Sequence, residues 1–303
     1  MWRLDVIQRH LSPHPCHWVP TFVTPPDLDF TGPLKGKTVV ITGASRGIGL
    51  AIAKRVARDG ANVVLLAKTA TEHKALQGTI YTAAKEVEAA GGVAFPIVCD
   101  IRFEDQVKKA ISQTIARFGG IDILINNASA VSMTDTPNTT MKKFDLMHAV
   151  CPRATFMCSQ ACLPYLQQAK NPHILVMSPP LNLNPNWFAR HCAYTMAKYS
   201  MSLCVLGLSE EFRGQVAVNS LWPRTVIATD AVRNELGGER VMRQCRKVEI
   251  VADAAYKIVT SDSRKTTGQF FIDDVVLGPV DLKQYLVNPK LPEQELALDF
   301  FID

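Results

Sequence analysis

The sequence predicts one α/β domain in which a doubly wound parallel sheet carries helices on both faces, and three observations support this fold class. From Lys35 onward, short apolar runs alternate with longer helical stretches, a pattern typical of βαβ units. Several runs are apolar throughout rather than alternating, as in strands that helices cover on both faces. A glycine-rich turn follows the first run, at the place where such folds begin their first helix.

Seven short runs rich in apolar and β-branched residues are predicted as strands. They are KTVVIT (37–42), NVVLLA (62–67), VAFPIVC (93–99), DILIN (122–126), HILVMS (173–178), VAVNSLW (216–222) and QFFID (269–273). Helices are predicted between them, where polar residues fall on one side of the stretches 47–59, 78–90, 104–118, 140–168, 188–213 and 251–260. Right-handed crossovers would place all strands in one open sheet, so residues 34–278 are predicted to form one domain.

Two terminal segments lie outside this domain. Residues 1–33 contain histidines and prolines without periodicity, which predicts an irregular extension. Arg3 and Arg9 leave a mitochondrial presequence open, although Asp5 and the prolines disfavour an amphipathic helix. Residues 279–303 are predicted to be a tail that packs on the domain through the aromatic residues of LALDFFID.

Composition and charge exclude several classes of protein. Of the 303 residues, 47% are hydrophobic and 20% are charged, as in ordinary soluble domains. The net charge of +5 is spread along the chain, which argues against a nucleic acid or an anionic membrane as the main partner. No apolar run reaches the ~18 residues of a membrane span, so none is predicted.

The eight cysteines show no CxxC pair, and a chain of this length needs no disulfide framework, so a reducing compartment is expected. Cytoplasm, mitochondrion and peroxisome all stay open. Cys158 and Cys162 lie one turn apart on a predicted helix, but no nearby ligand completes a tetrahedral site. No metal is therefore predicted.

The turn TGASRGIG (42–49) has glycines at positions 43, 47 and 49. Residues without a Cβ let the chain turn sharply and let a pyrophosphate approach the backbone, while the helix N-terminus meets its negative charge. At the first turn between strand and helix, this pattern predicts a Rossmann-like dinucleotide site.

The end of the second strand indicates which dinucleotide binds. A carboxylate there would bond the ribose 2′-OH and repel a 2′-phosphate, but residues 61–71 contain no acid and Lys68 stands at the strand tip. Arg46 in the glycine loop is a second cation suited to a 2′-phosphate. NADP is therefore favoured, with NAD as the alternative.

Tyr194 and Lys198 stand four residues apart in HCAYTMAKYS (191–200). On an α-helix they share one face, about 6 Å apart along the axis. An ordinary surface pair explains this spacing, and so does a cation that acts on a phenol. The rest of the chain must decide between the two.

Together these motifs resemble the short-chain dehydrogenase/reductase family. The resemblance rests on TGASRGIG, on Asp100 after the third strand, on NNAS (126–129), on Ser178 and on YTMAK (194–198), and it covers nearly all of 34–278. The runs SPPLNLNPNWFARHCAYTMAKYSM and DFFID are similar to a member that carries a sterol-carrier domain beyond its dehydrogenase part. The family implies an oxidoreductase that interconverts a carbonyl and a secondary alcohol, here on a hydrophobic, lipid- or steroid-like molecule.

The resemblance implies catalytic roles for three residues. Tyr194 would exchange a proton with the substrate oxygen, because Lys198 and a positive nicotinamide would lower the pKa of the phenol from near 10 to about 7. Lys198 would also hold the nicotinamide ribose. Ser178 would hydrogen-bond the substrate oxygen and orient it.

The resemblance also implies which residues hold the cofactor. Asp100 would hold the adenine, and the segment 223–229 would cover the nicotinamide. The full set is Gly43, Ser45, Arg46, Gly47, Ile48, Gly49, Lys68, Asp100, Asn126, Ala128, Tyr194, Lys198, Pro223, Thr225 and Thr229. A homo-oligomer, dimer or tetramer, through the helices 140–168 and 188–213 is implied in the same way.

Two positions depart from the family pattern. Cys151, followed by Pro152, stands where many members have an asparagine that supports a proton relay, and neither residue replaces the amide. We expect slower turnover, a relay rebuilt from groups such as His148, or lost activity. The alternative function is thus a catalytically impaired dinucleotide-binding protein that acts as a sensor or a partner in lipid metabolism. At the second position, Arg224 replaces the glycine that often follows the proline of the covering segment.

The three side chains His191, Trp187 and Phe188, which precede Tyr194, each have two possible roles. His191 either is satisfied at the start of its helix or reaches the site, and Trp187 and Phe188 form either a substrate wall or part of the core. The loop 179–190 leads to Tyr194 and so must pass the mouth of the site.

Overall fold

The computed structural model describes residues 33–72, 78–235 and 237–303. All of the predicted extension 1–33 except its last residue lies outside this part of the chain. Within it, seven strands form one parallel sheet, and each corresponds to a predicted run with ends shifted by one or two residues at most. They are β1 (Thr38–Thr42), β2 (Asn62–Ala67), β3 (Val93–Val98), β4 (Ile123–Asn126), β5 (His173–Val176), β6 (Ala217–Trp222) and β7 (Phe270–Ile272).

The order of the strands across the sheet is β3-β2-β1-β4-β5-β6-β7. Val39 of β1 pairs with Val63 on one side and with Ile123 on the other, so β1 and β4 form the centre of the sheet. The chain runs outward from this centre first in one direction and then in the other. The predicted doubly wound fold is confirmed.

Helices cover both faces of the sheet. They are α1 (Gly47–Ala57), α2 (Ile80–Ala89), α3 (Glu104–Phe118), α4 (Met141–His148), α5 (Ala154–Leu166), α6 (Cys192–Glu211), α7 (Asp230–Glu235), α8 (Gly238–Met242), α9 (Glu249–Val259) and α10 (Asp273–Leu277). Successive strand residues point to opposite faces, so Val40 joins the core beneath α5 and α6 while Val39 joins the core beneath α1 and α9. Strands that are apolar on both sides thus find a partner layer on each.

The helices differ from the prediction in two places. The stretch 140–168 is not one helix, because a π-helical turn, Ala149–Arg153, separates α4 from α5. Pro152 lies in this turn, and its missing N–H and bulky ring disfavour regular α-helical geometry there. The short helices α7, α8 and α10 were not predicted, because five or six residues are too few to show helical periodicity.

Two further observations concern the described ranges. None of their helices has both the length and the apolar character that a bilayer crossing requires. They also contain no group of three His, Cys, Asp or Glu side chains placed to hold a metal ion. Cys158 and Cys162 are buried free thiols, and burial raises the pKa of Cys158 to about 12, so both act as apolar core residues.

Candidate active site

The carboxyl ends of β1 and β4 lie side by side at the centre of the sheet, where the strand order reverses. In open α/β sheets, ligands bind outside this edge. The glycine loop follows β1 and the NNAS segment follows β4. Both segments that were predicted to hold a cofactor therefore meet at this edge.

The glycine loop is packed so closely that two of its positions exclude any side chain. A Cβ on Gly43, whose φ is +66°, would lie 2.9 Å from the Cα of Ala128. A Cβ on Gly49 would lie 2.5 Å from the Nδ2 of Asn127, which donates to the carbonyl oxygens of Thr42 and Gly43 at 2.9 and 3.2 Å. The loop is thus a rigid backbone cradle.

This cradle fits the pyrophosphate of a dinucleotide. It leads directly into α1, whose first turn contains no acidic side chain, so the positive end of the helix faces the loop. Gly47 has a φ of +57°, and the nearest atom to its missing Cβ is the Thr229 Cγ2 at 3.7 Å. The covering segment 223–229 therefore comes close to the cradle.

Cations border the ribose end that the sequence predicts. Lys68 is exposed at the end of β2, and the Arg46 Nη2 donates to the Gly78 carbonyl at 2.7 Å. The Asp100 carboxylate accepts hydrogen bonds from Nε and Nη2 of Arg102 at 2.9 and 2.6 Å. These hydrogen bonds, with a smaller contribution from the charge of Lys68, hold the pKa of Asp100 below its usual range. Adenine binding by Asp100 stays a prediction, because both carboxylate oxygens already accept from Arg102.

A cleft of about 160 Å³ lies beside the cradle. Five parts of the chain contribute to its walls: the glycine loop, the NNAS segment, α6, the covering segment and the C-terminal tail. The residues that matter here are Ile48, Asn127, Tyr194, Lys198, Pro223, Thr229, Asp299 and Phe300. The tyrosine and lysine of the YTMAK run thus share one cleft with the segments predicted to hold the cofactor.

In the protein alone, the pKa of Tyr194 is raised rather than lowered. Burial raises it well above its ordinary value, and the nearby Asp299 carboxylate and Cys151 thiol add to this shift. Tyr194 is therefore a protonated phenol at neutral pH. The predicted lowering of the pKa depends on a positive nicotinamide beside the phenol and stays a prediction.

Lys198 is held rigidly in the wall of the cleft. Its Nζ donates to the Met177 carbonyl at 2.7 Å and lies 4.9 Å from the centre of the Trp222 ring. The side chain is 2% exposed, and burial lowers its pKa. The two bonds keep the ammonium at a fixed place beneath the cleft.

The Ser178 hydroxyl points away from the cleft. It donates to the Ser220 Oγ at 3.2 Å, the Ser220 hydroxyl donates to the Ser178 carbonyl, and Ser178 is fully buried. Met177, its neighbour, lines the cleft instead. Orientation of the substrate by Ser178 requires a rotation about χ1 and stays a prediction.

The NNAS segment presents a different asparagine from the one that sequence reasoning chose. The Asn126 Nδ2 donates to the Ser159 Oγ at 3.1 Å inside the core, whereas Asn127 and Ser129 line the cleft. Ala128 backs the glycine loop through its Cα. In the covering segment, Pro223 and Thr229 line the cleft but Thr225 is buried beside it.

The π-helical turn places Cys151 against the NNAS segment. Its Sγ lies 3.5 Å from both the Ser129 Oγ and the Ala130 N, and these are weak hydrogen bonds. His148 does not rebuild a relay, because its Nδ1 bonds the Phe144 carbonyl at 3.0 Å and its ring stacks on Phe144. In the structure, Cys151 therefore does not supply the hydrogen bonds of an amide, and His148 does not take that role.

The aromatic side chains before Tyr194 serve packing. His191 Nδ1 bonds the Thr195 Oγ1 at 3.0 Å, and Phe188 packs edge-on against Tyr199 with ring centres 5.4 Å apart. The Trp187 Nε1 donates to the Asp303 Oδ1 at 3.0 Å. These contacts favour the interpretation of His191 as a satisfied residue, and they join the loop 179–190 to the tail.

Sequence reasoning missed the tail as a part of the site. Asp299 and Phe300 line the cleft, and Phe301 is fully buried behind them. The aromatic residues of DFFID were a signal that the tail docks, but no motif indicated where.

Comparisons with known proteins agree with this geometry. The profile of the short chain dehydrogenase family matches residues 37–239. The chain is 56% identical over 276 residues to hydroxysteroid dehydrogenase-like protein 2 of Danio rerio, which covers 91% of this chain and 66% of that protein. The Mus musculus protein of the same name is 56% identical over 273 residues, with 90% of this chain and 55% of that one covered. The chain therefore spans about two-thirds or less of the length of these relatives.

Solved structures give the same result. A short chain dehydrogenase from Mycobacterium thermoresistibile is 51% identical and superposes with a TM-score of 0.83, over 89% of this chain and 96% of that one. A metagenomic short-chain oxidoreductase in complex with NADP is 26% identical, with a TM-score of 0.66 over 79% and 97% of the two chains. The resemblance that the motifs predicted is confirmed, and the chain belongs to the short chain dehydrogenase family.

Proposed function

We propose that this protein is an NADP(H)-dependent oxidoreductase that interconverts a carbonyl and a secondary alcohol on a hydrophobic substrate. The observation that carries the proposal is the placement of Tyr194 and Lys198 on one face of α6, in a cleft that Ile48 of the glycine loop also lines. A proton donor, a fixed cation and a dinucleotide cradle thus border one small space.

The residues of the cleft are suited to proton transfer at the substrate oxygen. When bound, the dinucleotide supplies the hydride in reduction. Tyr194 donates its proton to the carbonyl oxygen in that direction and accepts the proton of the alcohol in the other. Lys198, held by the Met177 carbonyl, stabilises the negative charge that the phenol acquires.

Two observations support NADP over NAD. Lys68 directly follows β2, Arg46 lies in the glycine loop, and residues 67–71 contain no acid. The metagenomic relative that is 26% identical was solved with NADP. NAD remains the alternative ligand of the same cradle.

The test combines cofactor titration with a panel of aldehydes and ketones. Replacing Tyr194 by Phe should lower kcat by roughly 10²–10⁴-fold, with little change in NADPH affinity, because the phenol does not form the cradle. Tyr199→Phe is the matched control, since its hydroxyl lies on the same helix but donates to the Asn182 carbonyl at 2.6 Å, outside the cleft. Equal rates for wild type and Tyr194→Phe would overturn the proposal.

A second candidate function is a dinucleotide-binding protein with impaired catalysis. The weak contacts of the Cys151 thiol and the turned-away Ser178 hydroxyl favour it. The same experiment decides, because this candidate requires NADPH binding without turnover of any carbonyl by the wild type.

We also propose that two copies of the chain associate through α4, α5 and α6. Phe156 and Leu203 are 50% and 56% exposed on these helices, and Met141, Leu146 and Met196 are exposed on α4 and α6. Exposed apolar side chains of this kind are suited to an isologous interface. Light scattering should give the mass of a dimer or tetramer that Leu203→Glu dissociates. Leu183→Glu, at an exposed loop position, should leave the mass unchanged.

A further inference from the structure

The C-terminal tail is anchored in the domain by Phe301. Its ring lies 5.0 Å from the ring of Tyr199, 5.8 Å from that of Trp187, 5.9 Å from that of Trp222 and 6.2 Å from that of Tyr194, measured between centres. The residue is fully buried and has a φ of +71°. Left-handed backbone at a bulky residue persists only where the surroundings fix it, and such residues cluster at functional sites.

Hydrogen bonds fix the residues on both sides of this anchor. The Asp299 N donates to the Arg224 carbonyl at 2.9 Å, and the Trp222 Nε1 donates to the Phe300 carbonyl at 2.8 Å. At the other end, Asp303 accepts from Trp187 and from Asn182 at 3.0 and 2.7 Å. The tail therefore has a defined conformation across the cleft.

Arg224 is the support for the start of this segment. Its backbone N donates to the Asp273 Oδ1 at 3.0 Å, and its Nε donates to the Asp274 Oδ2 at 2.5 Å. Its carbonyl is thereby aimed at Asp299. The arginine that replaces the glycine of many relatives thus fixes the covering segment and the tail together.

Two tail residues face the cleft directly. The Phe300 ring lies 6.4 Å from that of Tyr194 and 5.2 Å from that of His191. The Asp299 carboxylate interacts electrostatically with both Tyr194 and Lys198. A molecule whose carbonyl oxygen reaches the Tyr194 hydroxyl therefore occupies a cleft that these two side chains line.

Resting on the proposed function, we infer that Asp299 and Phe300 form the substrate-side wall of the cleft and determine specificity for neutral, slender, unbranched apolar carbonyl compounds. The Phe300 ring lies 6.4 Å from the Tyr194 ring, so beside the reacting carbonyl it disfavours a fused-ring skeleton more than a linear chain. The Asp299 carboxylate disfavours anionic compounds at the same place.

The Asp299 carboxylate acts against anions. It lies partly buried beside the reacting centre, where a second negative charge is poorly screened. Its own pKa is raised to about 7, chiefly by burial, so near neutral pH a large fraction of the group is already charged. A keto acid with its carboxylate close to the carbonyl would bring two negative charges together.

The experiment measures selectivity with matched pairs of ketones. Decan-2-one and the fused-ring 2-decalone have equal numbers of carbons, and pentan-2-one and 4-oxopentanoate differ by a carboxylate. For each, kcat/KM with NADPH and equilibrium binding to the NADP⁺-saturated protein by calorimetry are measured. Phe300→Ala and Phe300→Leu should raise the ratio of 2-decalone to decan-2-one about tenfold, the low end of what one pocket group contributes to discrimination. Asp299→Asn should raise the ratio of 4-oxopentanoate to pentan-2-one to a similar extent.

Control variants separate the wall from general effects. Glu295→Gln removes a carboxylate from an exposed part of the tail, and Phe103→Ala removes an exposed ring elsewhere, so neither should change a ratio. The proposal that Asp299 and Phe300 determine specificity would be overturned if the ratios of kcat/KM were unchanged in the Phe300 and Asp299 variants. It would also be overturned if the controls changed these ratios equally. If the wild type binds the ketones with the expected preference but reduces none, the proposed function fails and the wall stands. If it binds none of them, the wall fails as well.

Discussion

The glycine loop and the C-terminal tail border the same cleft but are held in different ways. The glycine loop is one run of eight residues, packed against the Ala128 backbone and held by hydrogen bonds from the Asn127 side-chain amide to the carbonyl oxygens of Thr42 and Gly43. The tail is held by side chains far away in sequence: Trp187 lies 116 residues before Asp303, and Trp222 lies 78 residues before Phe300. The first half of the site is encoded locally, and the second half is assembled by the finished fold.

This difference has an energetic consequence. A side chain added in the glycine loop would collide with backbone atoms at the centre of the sheet, so its effect should extend to the whole domain. The tail contributes no strand to the sheet, so it can detach while the domain stays folded. Damage to the two regions should therefore appear in different measurements.

Phe301→Ala should have the largest effect, and the effect should be local. Removing a buried phenylalanine ring costs about 3–5 kcal/mol, so hydrogen-exchange protection of the amides of 299–303 should fall by roughly 10²–10⁴-fold at 1.4 kcal/mol per tenfold. The midpoint of thermal unfolding should change little. Leu298→Ala, at a tail position that is 57% exposed, is the matched control and should leave protection nearly intact. A large fall in the midpoint would mean that the tail unfolds together with the domain.

Gly49→Ala should have a smaller but global effect. The added Cβ would lie 2.6 Å from the Gly43 carbonyl oxygen, and overpacking of this kind costs about 1–3 kcal/mol of unfolding free energy. NADPH affinity should fall at least ~10-fold as the cradle shifts, which fluorescence titration measures.

Gly120→Ala is the control for this prediction. Gly120 lies outside the cleft, and nothing lies within 4 Å of its missing Cβ. Alanine there should stabilise the protein by up to about 1 kcal/mol, because it lowers the conformational entropy of the unfolded chain. If Gly49→Ala were equally harmless, the comparison between a rigid cradle and a detachable tail would fail.

The same contrast explains what sequence reasoning found. The glycine spacing and the i, i+4 pair of Tyr194 and Lys198 are local patterns, so they gave the cradle, the helix and the cleft. Successive residues of a strand point to opposite faces of the sheet. Asn126, the last residue of β4, therefore points into the core, and Asn127, the residue after it, lines the cleft. The Ser178 hydroxyl direction depends on a partner, Ser220, that lies 42 residues away. Contacts of this kind leave no spacing to detect.

Lys68→Asp tests the ribose end of the locally encoded half. A carboxylate at the tip of β2 should repel a 2′-phosphate and accept from a ribose 2′-OH, so the preference for NADPH over NADH should fall by about tenfold or more, near 1.4 kcal/mol. Lys85→Asp makes the same change of charge on the exposed face of α2 and should leave the preference as it is. An unchanged preference in Lys68→Asp would assign selectivity to Arg46 alone.

The smallest effect expected is a pH dependence of tail docking. Burial raises the pKa of Asp299 from 3.8 to about 7, so the docked tail binds its proton more tightly than the released tail does. The stability that this proton gives is fully present below pH ~4 and is lost as pH rises through about 7. His191, which packs on Phe300, has the opposite sign, because burial lowers its pKa and its protonation at acid pH disfavours docking. The charge of Asp273 also raises the pKa of Asp299, and the charge of Lys198 lowers it. One titrating group changes a stability by at most tenfold per pH unit. Protection of the tail amides, corrected for intrinsic exchange, should therefore fall by less than tenfold per pH unit between pH 5 and 7. Asp299→Asn should remove this decline, whereas a decline that persisted in the variant would assign it to a group other than Asp299 and leave the carboxylate without a role in holding the tail.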